Sequence, residues 1–311
     1  MSHPFSQPLA RGWVILCYNL TMDKQAKNFF KYLSSLLVIV FFLIGFVVQS
    51  QDDRQNLEVC FLDIGQGDAI LIKTPYEQNI LIDGGPDNTI LAQLGQNLAF
   101  FDKELDLVIL THPHSDHVAG LINVLRRYEV KKILLTGVLH NSPDYMTFLD
   151  EIRKQNISTE IIKAQQDIDL GEQLVLKIIY PWSDLRDKQV EELNNTSIVT
   201  QLIYKNNSFL LTGDAEIPVE QELLASDTYL RSQVLKVGHH GSKSSTSQEF
   251  LDAVKPQYAV IQCGQDNDFG HPHLRTIKRL EDNNIQILRN DLLGTIIFIA
   301  DGQNLQIKNR E

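Results

Sequence analysis

Thr111-His112-Pro113-His114-Ser115-Asp116-His117 follows directly on the apolar run Leu107-Val108-Ile109-Leu110. Beyond it, Val118, Leu121, Ile122 and Leu125 recur at helical spacing, so a helix is expected to open near Ser115. Three histidines and an aspartate therefore fall within six residues at a strand-to-helix turn. Such a turn lets alternate side chains aim at a common centre. Imidazole nitrogen and carboxylate oxygen are the donors expected for Zn²⁺, Mn²⁺ or Fe²⁺. On this reading His112 and His114 chelate one ion while Asp116 and His117 face a second. A merely polar turn would leave these partly desolvated groups without an explanation.

Outward from that turn the chain alternates strand and helix. Strands are expected at 57–64, 69–73, 79–83, 105–111 and 131–137, around 159–164, and at 173–181, 197–205 and 208–214. Helices are expected near 144–155, 216–226, 247–254 and 273–282, with Asn206-Asn207 as the tight turn between two strands. A terminal hairpin is expected about Asp301-Gly302. Strands in two groups, each mixed with helices, predict an α/β body with two packed sheets and helices outside. One catalytic domain is expected over 57–309.

With 43% hydrophobic and 22% charged residues in 311, the composition is that of a soluble globular protein and excludes disorder as the main state. Cysteines at 17, 60 and 263 are too few and scattered for a disulfide framework or a thiolate zinc site. Lys+Arg number 28 against 39 Asp+Glu, a net charge of −11. That balance opposes a general nucleic-acid coat, though not local binding through a basic patch or bound cations.

The first fifty residues differ in kind. Residues 32–48 (YLSSLLVIVFFLIGFVV) carry no charge, and with Phe29 and Phe30 the run approaches the ~20 residues a bilayer requires. Lys24, Lys27 and Lys31 precede it and Asp52 and Asp53 follow. Residues 29–50 are thus expected to be a transmembrane anchor or signal segment, with the N-terminus in the cytoplasm and the remainder across the membrane. An uncleaved anchor is the preferred reading; cleavage near residues 48–50 would give a secreted protein. Residues 1–28 are expected to be cytoplasmic, or in part a product of start-codon choice, since Met22 opens a basic-then-apolar stretch of its own. Residues 51–56 read as a linker.

Further motifs occur in order: Asp63-Ile64-Gly65-Gln66-Gly67-Asp68-Ala69, Leu211-Thr212-Gly213-Asp214, Lys236-Val237-Gly238-His239-His240-Gly241-Ser242 and Gly270-His271-Pro272. Together with His-x-His-x-Asp-His, they make residues 57–300 resemble the metallo-β-lactamase superfamily, and within it the hydrolase domain of the ComEC/Rec2 DNA-uptake proteins. The resemblance implies an αββα sandwich with two divalent ions, zinc or manganese, at one edge. It implies metal ligands at His112, His114, Asp116, His117, Asp214 (bridging) and one of His239 and His240, with His239 preferred, the other contacting substrate or shuttling a proton. The lactamases carry a third histidine before the bridging aspartate. Here no histidine lies between His140 and His239, and Asn195 stands where it would be expected. An amide oxygen is the weaker ligand, which points to a loosely held or harder ion such as Mn²⁺. His140 reads as a loop residue. The multi-spanning channel of the full-length uptake proteins is not carried over.

Asp63, Asp68 and Asp83 sit at strand ends and are candidates for supporting metal ligands. Ser242 and Lys243, in a Gly-Ser-Lys-Ser-Ser loop, are candidates with Asn195 for holding substrate; free N–H groups and one cation suit a phosphate. His271 is a candidate acid/base at a helix start, and with Asp116 and His240 completes the candidate catalytic set. Arg275, Lys278, Arg279 and Arg289 form either a local basic patch or a solvated helix face. The function expected is a metallohydrolase in which a metal-bound hydroxide attacks a phosphodiester, most readily DNA. The alternatives are an ester, lactone, thioester or β-lactam hydrolase, or a non-catalytic metal-binding sensor module at the membrane.

Overall fold

Apolar residues at alternate positions build two sheets that share a core. In the computed structural model, which describes residues 28–29, 31–42, 56–163 and 165–308, the first sheet has eight strands. They are β1 (Leu57–Phe61), β2 (Ile70–Lys73), β3 (Asn79–Ile82), β5 (Leu107–Ile109), β7 (Lys132–Leu135), β8 (Ser158–Ile161), β16 (Ile296–Ala300) and β17 (Leu305–Lys308). Their spatial order is β17-β16-β1-β2-β3-β5-β7-β8. The second sheet orders β15 (Gln286–Arg289), β14 (Tyr258–Ile261), β13 (Val234–Lys236), β12 (Asn207–Leu211), β11 (Val199–Tyr204), β10 (Leu174–Tyr180) and β9 (Gln166–Gly171). A short parallel pair, β4 (Glu104–Leu105) and β6 (Glu129–Val130), lies beside the first sheet.

Val59, Phe61, Ile70, Ile72, Ile80 and Ile82 from the first sheet meet Leu174, Leu176, Leu202, Phe209, Leu211 and Val234 from the second in one buried cluster. Phe298 stands edge-on to Phe61 and Phe209, with ring centroids 6.0 and 5.9 Å away. Burying each such side chain stabilises the fold by roughly 1.5–3 kcal/mol. The alternate positions Cys60, Leu62, Leu71, Leu81 and Val108 face outward under α2 (Thr89–Asn97), α3 (Ser115–Arg127) and α4 (Pro143–Gln155). On the second sheet, Leu210, Leu235, Ala259 and Ile261 do the same under α5 (Ile217–Ala225), α6 (Gln248–Val254) and α7 (Leu274–Asp282). The layers are thus helix, sheet, sheet, helix. α3 lies hard against the loop after β3: a Cβ on Gly120 would fall 1.9 Å from the Gly84 carbonyl oxygen. β3 and β5 run parallel, as do β12, β13 and β14, so the loops after them open at carboxyl ends. Ligand-bearing residues of open α/β sheets collect at such ends.

Three expectations shift. The turn between β11 and β12 is Lys205-Asn206, one residue earlier than expected, because Asn207 pairs with Tyr204 as the first residue of β12 and is buried. Lys205 takes the left-handed backbone there, at φ 51°. α2 and the edge strand β9 had not been anticipated. At the N-terminus, residues 28–29 and 31–42 (α1) are helical and exposed. Among the described residues no helix is long and apolar enough to cross a membrane. The remainder of the expected 29–50 segment, most of the 51–56 linker and residues 1–27 lie outside the described residues.

Candidate metal centre

The turn after β5 delivers its histidines as the spacing requires. His112 and His117 are buried, His114 and Asp116 partly so. Their nitrogens converge on Asp214 at the end of β12: His117 Nε2 is 3.3 Å and His112 Nε2 3.9 Å from Asp214 Oδ2. His240 Nε2 is 3.3 Å from that same oxygen and 3.3 Å from Asp116 Oδ2. His112 Nε2 also faces His114 Nδ1 at 3.1 Å. Asp116, His117, Asp214 and His240 each offer a donor atom within 4.8 Å of the others, a set able to hold a metal ion.

The opposite ring nitrogens explain why these point inward. His117 Nδ1 donates to Asp83 Oδ2 at 2.8 Å, and Asp83 also accepts from Thr111 N (2.8 Å) and Thr111 Oγ1 (2.7 Å). His240 Nδ1 donates to the Gln262 carbonyl at 2.9 Å, with Asp68 Oδ1 3.3 Å away. With the proton on Nδ1, each Nε2 presents its lone pair. Both Nε2 atoms are buried without a hydrogen-bond partner. Lone pairs of nitrogen facing carboxylate oxygens repel unless a proton or cation lies between them, so the residues present fit a divalent ion with mixed N/O donors. Electrostatics agree. Burial disfavours the imidazolium of His117 and of His240, yet the carboxylates around them outweigh it and carry both well above the ordinary histidine range. His112, dominated by burial and by neighbouring His117, falls well below it.

Lys236 is wholly buried among the same carboxylates. Its ammonium pairs with Asp68, donates to the Gly213 carbonyl at 2.9 Å and lies 3.5 Å from Asp214 Oδ1. The Gly65–Gly67 turn passes so close to the centre that a Cβ on Gly67 would fall 2.2 Å from the Asp116 carbonyl oxygen. The Asp68 amide donates to that oxygen at 3.2 Å.

Several expected roles move. His239, expected as a ligand, lies outside the cluster, and His240 stands in its place. Both residues have left-handed backbones (φ 46° and 52°), which turn successive side chains apart. His239 Nδ1 instead meets Glu216 Oε1 at 2.8 Å, with Asn194 Nδ2 3.3 Å from its ring nitrogens. Asn195 accepts from the Glu216 amide at 3.2 Å, so Asn194, not Asn195, faces the site; its Oδ1 is buried without a partner. Ser242 Oγ contacts Ser244 Oγ at 2.8 Å, and Ser244 donates to Glu216 at 2.6 Å. Lys243 is exposed and pairs with no carboxylate among the described residues. Asp63 closes its own turn, its Oδ1 accepting from Gly65 N at 3.4 Å; Asp68 and Asp83 are the aspartates that touch the clustered histidines. His271 lies 5.3 Å from His239 ring to ring, with Nδ1 unpartnered, and burial with the charges on His240 and His239 brings its pKa down to about 4. His140 approaches the His114 ring to 6.5 Å. Of the two readings for the basic residues near α7, the solvated face describes Arg275 and Lys278, which are exposed, while Arg279 donates to the Ser245 and Thr246 carbonyls and Arg289 pairs with Asp291. An open cavity of about 620 Å³ adjoins the centre, walled by Ile64, Pro86, His114, Asp116, His239 and Phe269.

Lys236, Glu216, Asn194, Ser197 and Gln262 were not singled out from sequence. Ser197 Oγ lies 3.3 Å from His112 Nδ1 and accepts from the Asp214 amide at 3.1 Å. Lys236 lay inside a motif already noted, and Asn194 and Ser197 lay beside Asn195 in the stretch 191–197; nothing in the sequence marked Glu216 or Gln262.

Residues 62–265 match the model of the metallo-beta-lactamase superfamily. The chain is 31% identical over 259 residues to ComE operon protein 3 of Bacillus subtilis, covering 78% of this chain and 33% of that protein. It is 28% identical over 268 residues to Competence protein ComA of Neisseria gonorrhoeae (83% and 35% covered). It is 30% identical over 238 residues to Recombination protein 2 of Haemophilus influenzae (74% and 27% covered). The chain spans about a third of the length of these relatives. A metallo hydrolase of the archaeon Ignicoccus hospitalis overlays it with a TM-score of 0.48 at 16% identity, covering 78% of this chain and 98% of that one. With the family match spanning most of the chain and the histidine–aspartate cluster at the carboxyl edge of two packed sheets, this protein belongs to the metallo-beta-lactamase superfamily.

Proposed function

We propose that this superfamily hydrolase is a binuclear phosphodiesterase acting on nucleic acid. The observation that carries the reading is the convergence of three imidazole nitrogens and the Asp116 carboxylate on Asp214 Oδ2. His112 and His114 with Asp214 would hold one ion; Asp116, His117 and His240 with Asp214 would hold the other. Two divalent cations held there, Zn²⁺ or Mn²⁺, would supply an activated water and would neutralise charge on a phosphoryl group. The chain's own residues do the rest. Asp83 and the Gln262 carbonyl hold the imidazoles of His117 and His240 in one tautomer. Asn194 offers an unpartnered amide oxygen, and His271, neutral near pH 7, offers a hydrogen bond to substrate. The nucleic-acid substrate is supported by relatives named for competence and recombination. Residues 29–50 are proposed to anchor the protein, with the hydrolase domain outside the cytoplasm, on the strength of the uncharged run 32–48 and the lysines before it.

The test is hydrolysis by purified protein, with Mn²⁺ or Zn²⁺, of single-stranded DNA, duplex DNA and a chromogenic phosphodiester, beside a lactone and a carboxylic ester. Diester cleavage lost to chelator and restored by metal is expected. Lactone or ester turnover with no diester cleavage would replace this reading with acyl hydrolysis. Membrane retention after carbonate washing, and resistance of the domain to a cytoplasmic-side protease, test the anchor and its orientation.

A further inference from the structure

A net charge of −11 repels a polyanion, and ion pairs already occupy many of the cations. Lys73 pairs with Glu58, Arg126 with Glu151, Lys131 with Glu104 and Asp106, Lys177 with Asp167, and Lys236 with Asp68. Lys205, Arg231 and Lys255 are different. All three are exposed, none pairs with a carboxylate within salt-bridge distance among the described residues, and all line one cleft of about 470 Å³, the Lys205 ammonium standing 4.8 Å over the Tyr204 ring. The cleft lies between the β11–β12 turn, the loop before β13 and the carboxyl end of α6.

No carboxylate lines this cleft; its remaining polar walls include Ser208, Ser232, Gln233 and Gln257. Asp301 feels the charge of Lys205, but its carboxylate is already held by Gln303 N, Asn304 N and Asn304 Nδ2. Tyr229, 70% exposed, stands at the rim as a large aromatic face in water. Past Tyr229 and Ile203, which both clefts share, the groove continues into a second cleft of about 440 Å³ along β10 and β11. There Lys177 and Asp167 neutralise each other and Asp227 adds a negative charge, so the attraction is concentrated at the Lys205–Arg231–Lys255 end. A groove open beyond its basic end suits an extended ligand better than a small anion.

β12 leads from this cleft to the metal edge. From Ser208 to Asp214 the chain advances six residues, roughly 20 Å at strand rise.

We propose that this cleft is a second nucleic-acid site, an exosite that holds a single phosphodiester strand about 20 Å from the metal centre. Three cations meet successive phosphates and Tyr229 stacks on a base, the combination by which strands are held without sequence preference. The identity of the ligand rests on the nucleic-acid substrate proposed above; the concentration of cations without a carboxylate partner does not.

The test uses the full chain in chelator with a fluorescein-labelled single-stranded oligonucleotide, followed by anisotropy over a salt series. Combining Lys205→Glu, Arg231→Glu and Lys255→Glu is expected to weaken binding at least tenfold. The slope of log affinity against log salt should fall by about two, since each phosphate contact contributes roughly 0.7 for single strands. Thermal stability and hydrolysis of a small chromogenic diester should stay at wild-type level, because the exosite is remote from the metal. Should the reversed protein fail to fold, the matching glutamine triple carries the same expectation, with a smaller loss. Unchanged affinity and slope would overturn the exosite, as would a wild-type protein that binds no oligonucleotide, or one whose cleft takes up only inorganic pyrophosphate. Cation-dependent strand binding without any diester hydrolysis would leave the exosite standing and remove the catalytic reading instead.

Discussion

Asp83 offers a way to separate stability from metal affinity at one residue. Its buried carboxylate satisfies three donors: Thr111 N–H, Thr111 O–H and His117 Nδ1–H. Asp83→Ala strands them. The Thr111 hydroxyl has a second partner in His112 Nδ1 at 3.1 Å, so two donors are left in full. At about 1–3 kcal/mol for each, the loss is about 2–6 kcal/mol. Alanine at φ 58° adds about 1 kcal/mol of backbone strain. For a domain of this size that lowers Tm by roughly 5–20 °C. Asp83→Asn behaves differently. Its amide oxygen still accepts from Thr111, and asparagine tolerates the left-handed backbone. Its NH₂, however, confronts His117 Nδ1–H. Moving that proton to Nε2 relieves the clash and removes the lone pair aimed at Asp214. The asparagine variant should therefore unfold nearer the wild-type temperature in chelator, yet bind metal about 10–100-fold more weakly. Thermal unfolding in chelator and titration against a competing metallochromic dye read the two effects apart. Wild-type metal affinity in Asp83→Asn would refute the tautomer argument. An unshifted Tm in Asp83→Ala would refute the hydrogen-bond account.

His240→Ala should lower metal content per chain measured by elemental analysis, whereas His239→Ala, outside the cluster, should leave it unchanged; the reverse result would restore His239 as ligand. Gly67→Ala should unfold at lower temperature and lose metal together, since its Cβ collides with the Asp116 carbonyl 2.2 Å away at a φ of +140°; a wild-type Tm would mean the turn can retreat. The Cys263 thiol, fully buried and pushed up to about 12 by burial and the Asp291 carboxylate, should resist a disulfide reagent at pH 8 in the native protein and react on unfolding.

What could be read from sequence was whatever depends on neighbours along the chain. The strand-to-helix turn at 111–117 is local, and so is the inside-outside alternation of β1 or β2, so the ligand turn and the layering of sheets and helices followed. β9 escaped notice because its residues, Gln166–Gly171, lie on a sheet edge where polar side chains stay solvated and no apolar run is required. The choice between His239 and His240 turned on two consecutive left-handed backbones, which composition does not announce. The role of Lys236, a residue within a quoted motif, was hidden for another reason. A lysine in an apolar strand reads as a surface residue, and only the three-dimensional gathering of Asp68 and Asp214 makes its burial tolerable. Glu216 and Gln262 likewise act on partners brought beside them by folding.

The pairing of β1 with β16 joins residues 57–61 to 296–300. In a chain made from its amino end, the first strand of the sheet therefore waits for nearly the last, with one flank open. Closure of that sheet waits until residues 296–300 have been made, and the long loop it seals makes assembly slow. Until then the Leu57–Phe61 flank is an adhesive edge, best protected by a holding chaperone. Trimming residues 296–308 would leave that edge bare permanently, in a protein that still carried every histidine of its metal centre.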